Sequence, residues 1–129
     1  MSFALKAGKN KMKIDKPKYV EKEWGSEEWF ANNESCNYCG KILNIKKNKG
    51  TSMHFHINKH EVFHVLEGTL RVDGIDTKTT EKHSTFVHQG FSMEMPQGVP
   101  HSLIGYEIDT KLIEASTFHR DSDSYRVYK

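Results

Sequence analysis

The chain has 129 residues, 36% of them hydrophobic and 28% charged, and a formal net charge of +2 at pH 7. That length buries one core but not two, so a single globular domain is expected. Nine glycines and three prolines are too few for a collagen-like or fibrous chain, and so small a net charge singles out no class of partner.

In chain order, the first feature is a basic run. Lys6, Lys9, Lys11, Lys13, Lys16 and Lys18 crowd the start of the chain, with Asp15 the one acid among them. Residues 1–17 read as a basic N-terminal arm, frayed and solvated, outside a domain that occupies 18–129. Such a run can bind nucleic acid, but no aromatic side chain interleaves with the lysines to stack on bases, so no nucleic-acid partner is expected. The lysines are not followed by the apolar stretch of a secretory signal, and no run reaches the length of a membrane span. The expectation is a cytoplasmic protein with no membrane partner.

Residues 27–32 suggest a short helical turn. Cys36 and Cys39 form one Cys-x-x-Cys, which supplies half of a structural zinc site. The pair leads into a strand rather than a helix of a βαβ unit, so two reduced thiols without a redox role are expected. From there the chain is a series of short β-like runs: 38–45, 53–57, 62–66, 69–72, 84–87, 91–95, 101–104 and 111–117. Glu67-Gly68 marks a tight turn, and Asp73-Gly74-Ile75-Asp76 is a hairpin signal. No longer segment carries the helical period, and many short strands at this spacing mean an all-β sandwich or barrel.

Eight histidines is a high count for this length, and four of them are His54, His56, His60 and His64. His54 and His56 lie two apart on a strand, so their side chains share one face. Glu61 opens the following strand; if that strand pairs antiparallel with the first, Glu61 faces the same interior. Phe63 and Val65 share the parity of Glu61 and should line a pocket floor. His101 follows a turn made by Pro96 and Gly98 and offers a fourth ligand. His54, His56, Glu61 and His101 together would hold one divalent transition metal, Mn, Fe, Ni or Zn, with room left for water or substrate. The remaining histidines, His60, His64, His83, His88 and His119, are assigned ordinary surface or core roles, and His64 should face away from Glu61.

These residues carry a family resemblance. His54-x-His56-x4-Glu61-x6-Gly68 resembles the first cupin motif and Gly90-x5-Pro96-x-Gly98-x2-His101 the second. Asn48 stands where the first motif usually has a glycine, and Gly105 where the second usually has an asparagine. The implied fold is a cupin, or jelly-roll, β-barrel with little helix. Over 18–129 the chain is further similar to the cupin domain of type II mannose-6-phosphate isomerases, at Glu23-Trp24-Gly25, Lys41 to Ile45, Leu112-Ile113-Glu114-Ala115 and Asp121 to Val127. It departs from them at Ser102, where that family has an arginine able to clamp a phosphate.

That resemblance implies a metal-dependent isomerase or epimerase acting on a sugar or sugar phosphate, with Glu114 and Lys41 as candidate bases. An Fe(II)-dependent cupin oxygenase and a non-catalytic cupin that binds a sugar or metabolite are the alternatives. A small-molecule partner, most simply a carbohydrate, is expected. Exposed sheet edges predict a homodimer.

Overall fold

The computed structural model describes residues 2–7 and 10–128, with side-chain surroundings for 11–128. Two antiparallel sheets enclose one core. The first has six strands in the order β10-β7-β12-β5-β4-β3, and the second five in the order β13-β6-β11-β8-β9. In chain order these strands are β3 (Lys18–Lys22), β4 (Gly25–Asn33), β5 (Tyr38–Ile45), β6 (Met53–Phe55), β7 (Glu61–Glu67), β8 (Thr69–Ile75), β9 (Lys82–His88), β10 (Ser92–Met95), β11 (His101–Gly105), β12 (Thr110–Ser116) and β13 (Tyr125–Tyr128). One 3₁₀ turn, Asp121–Asp123, precedes β13. This is the all-β jelly-roll barrel that the strand pattern and the motifs imply.

The expected basic arm pairs on itself. β1 (Ser2–Ala7) and β2 (Asn10–Asp15) form a two-stranded hairpin that joins neither sheet.

Alternation builds the barrel. β7 buries Glu61, Phe63 and Val65 on one face, while His64 on the other face meets the Ser92 hydroxyl at 2.7 Å. Leu43, Ile45, Phe63, Val65, Leu70, Val72, Val87, Met95, Leu103 and Leu112 form the core, with Trp24, Met93 and Val99 packed against it. Their burial is the main force holding the two sheets together. Gly68, at φ 89°, lets the chain leave β7 in one sheet and enter β8 in the other; a Cβ there would lie 2.6 Å from the Thr110 hydroxyl.

Three expectations change. Residues 27–32 are not helical but lie within β4, because hydrogen bonding to β3 on one side and β5 on the other outweighs local preference. Asp73-Gly74-Ile75-Asp76 does not turn: β8 runs on to Ile75, and the turn closes beyond it. There the Asp76 carboxylate accepts the amides of Lys78 and Thr79 at 2.8 and 2.9 Å. Third, β6 and β7 do not pair. They belong to opposite sheets, so Glu61 approaches His56, at 3.7 Å, across the barrel interior rather than along a ladder.

Candidate metal centre

Two strands and one loop bring the histidines together. His54 is the register partner of His101 across β6 and β11, and cross-strand partners share a face. His56 follows His54 by two residues. Gly98 of the second motif donates its amide to the His56 carbonyl at 2.7 Å, which ties the β10–β11 loop to the first histidine pair. Ring nitrogens of His54, His56 and His101 all lie within 4.8 Å of one another.

Their orientation is set from behind. Nδ1 of His54 donates to the Ser52 carbonyl at 2.7 Å, Nδ1 of His56 to the Asp123 carbonyl at 2.9 Å, and Nδ1 of His101 to the Val99 carbonyl at 2.9 Å. Each ring is therefore held in the tautomer that turns an Nε2 lone pair inward, as metal-ligating imidazoles require. Burial, then the nearby His101, pushes His54 down to about 4, and burial also lowers His56. Both are neutral donors near pH 7.

Glu61 lies beside this group of three imidazoles. Its Oε1 is 3.7 Å from His56 Nε2 and its Oε2 is 3.4 Å from His101 Nε2. Among the described residues, Glu61 Oε2 and His101 Nε2 are the buried side-chain atoms with no hydrogen-bond partner. Two unsatisfied acceptors facing each other in the interior are costly. A divalent cation between them and the other two imidazoles satisfies both, so the residues present fit a metal ion. Burial alone would raise the Glu61 carboxyl, but the Lys59 ammonium beside it holds it below the ordinary carboxylate range.

The centre opens into a cavity of about 520 Å³. Phe63 lines it, as do both candidate bases, Lys41 and Glu114. Val65, expected on the pocket floor, does not; it is one pleat further along β7, packed in the core with no exposed surface. Lys41 bonds Glu27 at 3.3 Å and lies 4.1 Å from the centre of the Trp29 ring. Glu114 is buried against Lys59. Ser102, at the arginine position of the isomerases, turns its hydroxyl to the Thr51 carbonyl at 2.7 Å.

Three residues of this site carry no signal in the sequence. Lys59 is 3% exposed and touches Glu61, Glu114 and His119. His119, first assigned an ordinary role, lines the cavity; burial and then the charges of Lys59 and Lys41 push it down to about 4. Asp123 accepts the amides of Ile57, Asn58 and Lys59 with its carboxylate and fixes His56 with its carbonyl. These contacts join residues some sixty positions apart, which no local spacing reveals.

Comparison with known proteins agrees with the fold. No curated protein matches the chain. Among solved structures, oxalate decarboxylase from Bacillus subtilis superposes with a TM-score of 0.76 at 17% identity, covering 86% of this chain and 30% of that one. The capsular polysaccharide assembling protein CapF from Staphylococcus aureus superposes with a TM-score of 0.77 at 17% identity, covering 90% and 34%. The chain thus spans about a third of the length of either protein, and the likeness is one of fold. A further structure of the Bacillus decarboxylase, at a TM-score of 0.74 and 17% identity, is described by its Mn(II) centres. Residues 41–112, which include His54, His56, Glu61 and His101, match the sequence model of the Cupin domain. The match takes in more than half of the chain: this protein belongs to the cupin family, with three histidines in its barrel that could hold a metal ion.

Proposed function

We propose that the chain is a metal-dependent isomerase or epimerase acting on a sugar or sugar phosphate. His54, His56, Glu61 and His101 would hold one divalent ion, Mn, Fe, Ni or Zn. The observation that carries the reading is a buried carboxylate and two ammonium groups, Glu114, Lys59 and Lys41, on the wall of the same cavity as the three imidazoles. When bound, the ion supplies Lewis acidity to substrate oxygens. Isomerisation also needs a group that takes a proton from one carbon and returns it to the next. Glu114 is the favoured group; Lys41 is the second candidate, within the same cavity.

The cavity lining suits a polar, anionic substrate. Lys22, Lys49 and Arg126 all line it, and none of them enters an ion pair among the described residues. Arg126 is the register partner of His54, which places it beside the metal ligands. These cations stand in for the arginine that Ser102 replaces.

A second reading, an Fe(II)-dependent oxygenase, draws on one feature: the three imidazoles form the tight group, while Glu61 also turns to Lys59 at 3.2 Å. A three-histidine iron centre leaves positions open to oxygen. A binding-only cupin remains the third. The deciding experiment is an aldose–ketose assay with sugars and sugar phosphates on metal-reconstituted protein. Turnover supports the isomerase. Oxygen uptake with Fe(II) transfers the case to the oxygenase, and tight sugar binding without either reaction to a binding protein. A homodimer belongs to the same proposal, because β3, β10, β9 and β13 are sheet edges. Light scattering on the purified chain decides it.

A further inference from the structure

Lys59 is an unusual neighbour for a metal centre. Its ammonium is buried, 3.2 Å from Glu61 Oε1, 2.9 Å from His119 Nδ1 and paired with Glu114 Oε2. An ammonium has three N–H donors and no acceptor, so three partners saturate it. No donor is left for a substrate, which excludes the simplest role for a lysine in a cavity wall. The loop that delivers it is equally committed, since Asp123 accepts the Lys59 backbone amide at 3.1 Å. The bond to Lys59 also divides the two oxygens of Glu61. Oε1 is occupied, whereas Oε2 faces His101 without a hydrogen-bond partner.

We propose that Lys59 is a built-in cation of the metal centre. It is a positioning residue that commits Oε1 of Glu61, leaves Oε2 as the donor toward the metal, and weakens the hold of the site on a divalent ion. The inference rests on the reading of His54, His56, Glu61 and His101 as metal ligands. Its physical basis is charge. Glu61 and Glu114 bring two negative charges and Lys59 one positive charge into the buried site, while Lys41 and Glu27 cancel each other. Like charges repel far more strongly in the interior than in water, so an ammonium touching the same carboxylate opposes the arrival of a second cation. It also offsets the cost of burying two carboxylates in the metal-free protein. The result is a centre that is stable without metal and exchanges metal readily.

The test is Zn(II) affinity, measured by chelator competition on the metal-free full-length chain at pH 7.5. The Lys59→Met variant is expected to bind Zn(II) at least tenfold more tightly than the parent, although its metal-free form unfolds at a lower temperature. A lysine that merely supports the fold predicts the opposite sign, weaker binding together with lower stability. Should Lys59→Met fail to fold without metal, the Lys59→Met/Glu114→Gln pair decides, because it removes the ammonium along with the carboxylate that would be stranded. Affinity equal to or tighter than the parent's supports the inference, and weaker affinity overturns it. Folded Lys59→Met protein with unchanged or weaker affinity overturns it too. If the parent chain takes up no Zn(II) at all, the metal-centre reading itself falls, and this inference with it; parent uptake with no tightening in folded Lys59→Met, or with weaker binding in the pair, removes this inference alone.

Discussion

At the scale of single residues, the ligands differ sharply from the other histidines. His56 is buried with its Nδ1 fixed, whereas His83 is exposed on β9. His56→Ala is expected to remove most bound metal and His83→Ala to leave it intact; metal analysis of the two purified variants checks this. The ligand positions were legible because their spacing is local: two residues on a strand, a short turn, and a glycine-proline turn before His101. Lys59, His119 and Asp123 were not, since they reach the site only through contacts across the fold. The lowered histidines also fix a pH dependence. His54 and His119 sit at about 4 in the folded chain against about 6.5 when unfolded. Between those values the unfolded state binds more protons, so stability rises with pH and is lost on acidification through that window. Glu61, held low, adds a loss of the same sign at lower pH. Each histidine accounts for on the order of a few kcal/mol. Urea unfolding of metal-free protein should therefore show a midpoint that falls steadily from pH 7 to pH 5; a flat profile would contradict the burial of these rings.

At the scale of elements, the centre depends on how one loop is pinned. The segment between β6 and β7 has three consecutive amides on the Asp123 carboxylate. Asp123→Ala leaves those amides, the Lys59 one buried, without an acceptor and loosens the turn that aims His56. A loss of about 2–3 kcal/mol of stability is expected, with metal affinity about 10- to 100-fold weaker. Thermal melts and metal titration of that variant measure both. Alternation of apolar residues gave strands such as β5 and β7 away, because a period of two survives in the sequence wherever one face is buried. It failed for β4, whose Glu27, Glu28 and Trp29 show no clean apolar alternation and become a strand only through the partners on either side. It also failed for β3 and β13, short exposed strands at sheet edges.

At the scale of the whole molecule, the two sheets place a candidate metal centre on the wall of a charged cavity, with cations that enter no ion pair among the described residues along its lining. If Lys49 and Arg126 receive an anion, removing both charges as alanines should weaken binding of a hexose 6-phosphate about tenfold or more. Binding of the free hexose should barely change; calorimetry with both ligands on metal-loaded protein separates the two effects. The barrel and its motifs could be read in advance because they are written in periodicity and spacing. The substrate could not, since it depends on which cations from distant strands stay free of partners. The central claim, that this cavity is built around one metal ion, is tested most directly by the metal content of chain purified without an affinity tag, stripped and then reconstituted. The account predicts one equivalent of divalent metal per chain. No uptake under any of the four metals would contradict it.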